Sequence, residues 1–437
     1  MEKQVKKEEQ SASLGFTTTI LNSDKNHPDV HQSMNTPIYR SAAYGFPHSE
    51  AIAAAFQNRE NIPSHTYSRI SNPTVEALEN KVKAISGAKD VMMLSSGMAA
   101  ISNTFMALAY AGSNIVTSPH LFGNSFSFFQ FTLAEFGVEV RFVDSDDLAA
   151  IEAAIDENTV AFFCELVTNP HLEIADLTKI KPLLACKKVP LIVDTTVVPW
   201  CDFDAKVWGI DIEVVSTTKY ISGGATSVGG AILDYGTFDW SANQRLAKVA
   251  DPGPFSAFMF KIKREIARNF GACLDADSAY AQIMGLETLK LRYHRMGESA
   301  YQLAQFLEQE NRVISVNYPK LQSSPYKELS DRLFNNYPGA MLTFNLASKA
   351  ACFQLMDALK IIRRATNLFD NRTLIIHPES TIYGTFSPEL KKLMGIDETL
   401  LRLSVGLEEL EDLKNDLCAA LALSAARLSI RGLGELS

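Results

Sequence analysis

The chain has 437 residues, 46% of them hydrophobic and 21% charged, an ordinary globular composition too long for one small core. Two or more domains are therefore expected. A formal net charge of -9 argues against a nucleic-acid partner or an anionic membrane surface. Cys164, Cys186, Cys201, Cys273, Cys352 and Cys418 stand far apart, without metal-ligand or redox spacing. They read as buried free thiols of a reducing compartment, with no metal site among them.

In chain order, the Lys/Glu-rich stretch Met1 to Ser13 has no apolar centre, so it reads as a solvated tail and not as a signal peptide. No run of about 18 uninterrupted apolar residues occurs, and a soluble cytoplasmic protein is expected. From Leu14 to Ser64 periodic segments are scarce, and Pro37, Pro47 and Pro63 interrupt the chain. Such an arm suits contact with another subunit better than independent folding. From Val75 onward strand-like and helix-like segments alternate. Val91–Ser95, Asn114–Ser118, Val138–Val143, Thr159–Glu165, Leu191–Thr195, Glu213–Ser216 and Val228–Leu233 are apolar, often β-branched runs. Helical patterns at Ala99–Ala109, Leu148–Ile155 and Leu177–Ala185 lie between them. Strands apolar along their whole length and separated by helices predict a mostly parallel, seven-stranded sheet covered on both faces, an α/β fold. After about Phe260 long amphipathic helices (Ala279–Gln309, Ala350–Ile362) alternate with isolated strands (Met341–Asn345, Leu401–Ser404), which predicts a smaller α+β domain. The expected division is an arm over residues 1–66, an α/β domain over 67–265 and an α+β domain over 266–437.

Open parallel sheets bind ligands outside the carboxyl ends of their strands. Asp194 closes the run Leu191-Ile192-Val193. Taken alone it reads as a helix cap or turn residue. Lys219 follows the strand beginning at Glu213, and a lone strand-end lysine is usually a solvated surface residue. Yet Ser216 and Thr218 stand two apart, so in an extended segment their hydroxyls share a face beside that amine. Ser95-Ser96-Gly97-Met98 joins a strand to a helix whose first N–H groups favour an anion. An anion cradle, an acid at one strand end and an amine at another suit an aldehyde cofactor that carries a phosphate ester. The acid keeps a pyridine nitrogen protonated, and the amine forms an imine.

The strings Tyr67-Ser68-Arg69-Ile70-Ser71-Asn72-Pro73-Thr74, Ser95-Ser96-Gly97-Met98, Ser216-Thr217-Thr218-Lys219-Tyr220 and Leu401-Arg402-Leu403-Ser404-Val405-Gly406-Leu407-Glu408 resemble the Cys/Met-metabolism enzymes that use pyridoxal 5'-phosphate. The resemblance runs from about Pro37 to Leu421, with the motifs in the family's order. It implies the aspartate aminotransferase-like fold of type I. It also implies that Lys219 is the Schiff-base lysine and that Asp194 partners the pyridinium nitrogen. Ser96, Gly97, Met98, Ser216 and Thr218 would hold the phosphate. Tyr67 and Arg69 match residues that reach the phosphate from a neighbouring subunit, which implies at least a dimer and, as is usual in the family, a homotetramer. Asn169 resembles the asparagine near the cofactor's phenolic oxygen. Arg402 matches the arginine that grips the substrate α-carboxylate, a task for a bidentate guanidinium. On pattern alone Arg402 is equally an ion-pair residue.

The departures from the family pattern bear on the reaction. In Leu121-Phe122-Gly123 the middle residue is usually a tyrosine that stacks on the cofactor and can donate a proton. Phe122 keeps the stacking and loses the hydroxyl. Thiolate leaves poorly without an acid, whereas acetate or succinate needs less help. Asn124 stands where methionine γ-lyases have a cysteine, and Thr195 stands where asparagine commonly follows the aspartate. Asn367, the string Thr373-Leu374-Ile375-Ile376-His377-Pro378 and the chain length resemble the sulfhydrylases more than the lyases, and Asn367 joins Arg402 as a substrate-side candidate. Ser95 to Ala100 reads more like the lyases. The expected reaction is replacement of the acyl group of an O-acyl-L-homoserine by sulfide. Methionine γ-elimination, cystathionine synthesis and a PLP-fold binding protein that has lost catalysis are the alternatives.

Overall fold

The computed structural model describes residues 14–23, 25, 29–57, 65–249 and 252–434. The Met1 to Ser13 tail of the sequence reading lies outside them. Seven strands form the larger sheet: β1 (Asp90–Leu94), β2 (Asn114–Thr117), β3 (Glu139–Phe142), β4 (Thr159–Glu165), β5 (Leu191–Asp194), β6 (Ile212–Val215) and β7 (Gly230–Asp234). Their order is β1-β7-β6-β5-β4-β2-β3. β2 to β6 run parallel, while β7 is antiparallel to both β6 and β1. The carboxyl ends of β1, β2, β4, β5 and β6 therefore share one rim. This is the mostly parallel sheet expected from the sequence, with one reversed strand that the apolar pattern does not distinguish.

The apolar runs are strands because both sheet faces are buried. Leu191, Ile192 and Val193 of β5 are each fully buried. Leu191 and Val193 join the cluster that contains Phe162 and Tyr293, and Ile192 joins that of Phe105 and Phe163 on the other face. Burial of each such side chain contributes roughly 1.5–3 kcal/mol. The helix Gly97–Leu108 covers the second face, capped at its start by Ser96 Oγ, which accepts the Ala99 N–H at 3.0 Å.

A second sheet of five strands follows: β8 (Ser315–Asn317), β9 (Met341–Asn345), β10 (Arg363–Arg364), β11 (Leu374–Ile376) and β12 (Leu400–Ser404), in the order β10-β11-β12-β9-β8. The single long helix expected over Ala279–Gln309 is two, Ala276–Glu287 and Leu289–Glu308. The break falls at Thr288 because Arg292 folds back on the end of the first helix. Its guanidinium donates to the Gly285 carbonyl at 2.6 Å and the Tyr220 carbonyl at 2.8 Å, supplying donors to a helix end that has none of its own. The six cysteines are all free, as expected, but only Cys164, Cys201 and Cys352 are buried. Cys186, Cys273 and Cys418 lie exposed.

Candidate active site

Asp194 and Glu165 end adjacent strands in register, and Lys219 follows the next strand along. Asp194 accepts the Thr196 N–H at 2.9 Å. The Thr196 hydroxyl in turn accepts the Ser216 N–H at 2.8 Å, which fixes the end of β5 to the turn after β6. Burial pushes the Asp194 carboxyl above its usual range, and the Thr196 bonds and then Lys219 pull the other way. A protonated ring nitrogen beside it would remove that cost.

The strand ends at Val215, one residue earlier than predicted, and Ser216 to Lys219 form a turn in place of an extended segment. The cause is the close approach of two backbones. A Cβ at Gly97 would stand 2.7 Å from Ser216 Cβ, and one at Gly230 would stand 2.0 Å from the Ser96 carbonyl oxygen. The Thr218 hydroxyl donates to the Gly229 carbonyl at 3.2 Å and accepts the Gly229 N–H at 3.0 Å. Ser216 thus faces the start of the helix Gly97–Leu108, where the N–H groups of Gly97 and Met98 precede the first intrahelical bond. With the helix dipole added, that corner suits a phosphate.

Lys219 Nζ donates to Asn367 Oδ1 at 3.0 Å. Burial first, and then the charge of Arg402, pull the lysine down to about 8, so that about a tenth of it is neutral amine at pH 7, far more than for an ordinary lysine near 10.4. Arg402 lies in the middle of β12, 2% exposed. Burial also lowers its pKa, though a guanidinium stays charged at neutral pH. One end of it donates to Asn169 Oδ1 at 3.0 Å, while its buried Nε has no partner among the described residues. An open, buried cationic donor beside a readily deprotonated amine is a place for a carboxylate.

Phe122 opens the helix Gly123–Ser127 beyond β2. Its N–H donates to Glu165 at 2.6 Å, and the Asn169 N–H donates to the same carboxylate at 3.1 Å. Glu165 is 6% exposed, and burial followed by the charge of Asp194 raises its pKa. Glu165 is absent from the residues expected at the site, although it closes an apolar strand just as Asp194 does. Thr195, which follows Asp194 where asparagine is common, donates to the buried Glu213, which also accepts Trp200 Nε1 and Tyr235 OH. Tyr67 and Arg69 are not brought to Lys219. Both are exposed, with the Arg69 guanidinium 5.5 Å above the Tyr67 ring and bonded to the Arg268 carbonyl.

The profile of the Cys/Met metabolism PLP-dependent enzymes matches residues 17–422. The chain belongs to that family. Among its members, the O-acetyl-L-homoserine sulfhydrylase of Corynebacterium glutamicum is 34% identical over 421 residues, covering 92% of this chain and 96% of that one. A solved O-acetylhomoserine sulfhydrylase of Wolinella succinogenes superposes with a TM-score of 0.72 at 45% identity, over 81% of this chain and 99% of its own. A solved family member from Campylobacter jejuni, with a TM-score of 0.87 and 31% identity over 94% of this chain and all of its own, contains N'-pyridoxyl-lysine-5'-monophosphate. The family's cofactor is pyridoxal phosphate, and the residues present fit it. The Gly97–Ser216 corner suits its phosphate, Asp194 its ring nitrogen and the Lys219 amine its aldehyde. No cluster of His, Cys, Asp and Glu among the described residues suits a metal ion.

Proposed function

We propose that the protein replaces the acyl group of an O-acyl-L-homoserine with sulfide to give homocysteine. In this reading Lys219 carries the cofactor, with Asp194 on the ring nitrogen and Gly97, Met98, Ser216 and Thr218 around the phosphate. Ser96 supports them as the helix cap. Phe122 lies on the ring face and Asn169 at its phenolic oxygen. The cofactor's contribution is an electron sink conjugated to the substrate nitrogen. Arg402 binds the substrate α-carboxylate through its open Nε. Lys219, once released, takes the α-proton on Nζ, and Asn367 holds that amine in place through its Oδ1. The Cγ–O bond breaks with its electron pair going to the departing carboxylate, and a Cγ–S bond forms to hydrosulfide. Neither redox change nor a further reactant is needed.

The observation that carries the choice of leaving group is Phe122. Its ring has no proton to give, and the nearby Tyr383 hydroxyl is directed at the carbonyls of Leu121 and Asn169. A carboxylate leaves without that help far more readily than a thiolate. The relatives named as O-acetylhomoserine sulfhydrylases support the same choice.

Tyr67 and Arg69, both exposed, are read as completing the phosphate site of a neighbouring subunit within a homotetramer. The arm over 1–66 and the two domains over 67–265 and 266–437 belong to the same proposal, supported by two sheets that do not interleave in sequence. A cytoplasmic setting is supported by six free thiols.

Purified enzyme loaded with pyridoxal phosphate should release homocysteine from O-acetyl- or O-succinyl-homoserine only when sulfide is present. Methanethiol from methionine at a rival rate would reverse the assignment. A protein that stays colourless with the cofactor would point to a binding role.

A further inference from the structure

The Phe122 side chain has no polar atom to fix its own position, so its ring goes where the backbone at 122 carries it. Two buried side chains hold that backbone. Glu165 accepts the N–H of Phe122 at 2.6 Å and that of Asn169 at 3.1 Å. Tyr383, 1% exposed, points its hydroxyl between the carbonyls of Leu121 at 3.2 Å and Asn169 at 3.1 Å. The two are complementary. The carboxylate takes the N–H groups of both loops, and the phenol donates to the carbonyls of the same two loops. Packing keeps Tyr383 there, because a Cβ on Gly123 would stand 3.3 Å from Ile382 Cγ2 and 3.4 Å from the Tyr383 ring. Asn169 passes the constraint on, since its Oδ1 accepts from Arg402 at 3.0 Å.

We propose that Glu165 and Tyr383 form a clamp that sets the position of the Phe122 ring relative to the Asn169–Arg402 pair. Both are positioning residues, acting on cofactor and substrate through the two loops they join. The inference rests on the reading that Phe122 lies on the pyridoxal ring. Tyr383→Phe keeps the packing and leaves two buried carbonyls without their shared donor, which frees the loops to part. Glu165→Gln offers one accepting oxygen and turns an NH2 toward the other N–H. One loop is then released.

The test compares holoenzymes of the wild type, Y383F, E165Q, F122A and the double variant F122A/Y383F. The readouts are the visible circular dichroism of the bound cofactor, the dissociation constant for pyridoxal phosphate, and the melting temperature of each apoprotein. Y383F should weaken the cofactor's dichroism and raise its dissociation constant about tenfold, with an apoprotein melt close to wild type. E165Q should act in the same direction. In the F122A background, Y383F should lose most of that effect and keep only the part that acts through Asn169, because the ring being positioned is gone. Unchanged dichroism and affinity in Y383F overturn the clamp, as does a Y383F effect that multiplies in full on top of F122A. F122A with the wild-type spectrum overturns the placement of Phe122 itself, and the clamp with it.

Discussion

Lys219 reacts according to its protonation state. Its amine is held down to about 8 by burial and Arg402, with Asp194 opposing. Only the neutral amine attacks an aldehyde, and a lowered pKa makes that form available at lower pH. Uptake of pyridoxal phosphate by the apoprotein should therefore accelerate with pH and level off above about 8. An ordinary lysine near 10.4 would keep accelerating for about two units more. Stopped-flow absorbance from pH 6.5 to 10 measures this, and a rate still rising tenfold per unit above pH 9 would sink the assignment. Arg402→Met removes one of the two causes and should shift the midpoint upward. At this scale the sequence revealed the groups that carry chemistry, because Asp194, Lys219 and Gly97 each follow an apolar strand. Glu165 follows the same rule and was legible in principle. Tyr383 was not, since its partner Asn169 is 214 residues away and no local pattern records the contact.

The turn bearing Lys219 rests on a helix. The 3-10 turn Tyr220–Ser222 ends at Gly223, whose φ of +80° suits glycine, and it packs directly on Gly285 of the helix Ala276–Glu287. A Cβ at Gly285 would stand 2.1 Å from the Ile221 carbonyl oxygen and 2.6 Å from the Gly223 nitrogen, both of them backbone atoms that cannot step aside. Gly285→Ala should therefore destabilise the fold by about 2–3 kcal/mol and slow cofactor uptake by displacing the Lys219 turn. Gly45→Ala, with nothing within 4 Å of its Cβ, serves as the control. Urea unfolding with the same uptake assay checks both effects, and a G285A protein matching G45A would refute the contact's role. The seven strands of the large sheet were legible within about two residues because two-faced burial makes them continuously apolar. The short strands Ser315–Asn317 and Arg363–Arg364 were not, since two or three residues carry no periodicity. Nor was the break at Thr288, which depends on Arg292 reaching back across a turn.

At the scale of the whole molecule, the arm exposes more apolar surface than a lone chain favours. Val30 is 83% exposed, Met34 94% and Phe56 59%, on the same part of the chain as the exposed Tyr67 and Arg69. The overall α/β class followed from alternation of elements, whereas the destination of this arm depends on a second copy and no single chain encodes it locally. If Tyr67 and Arg69 complete a neighbour's phosphate site, the damage from Lys219→Ala and from Arg69→Ala falls on different active sites. In a mixed pair, the subunit that retains Lys219 receives an intact Arg69 from the K219A subunit, so one of its two sites is native. Random pairing at equal amounts makes half the pairs mixed, so co-expression should restore about a quarter of wild-type activity, well above either variant alone. Separately purified proteins mixed without subunit exchange provide the baseline. Activity of the co-expressed sample no greater than the mean of its two parents would show that Arg69 serves its own chain, and the intersubunit assignment of Tyr67 would fall with it.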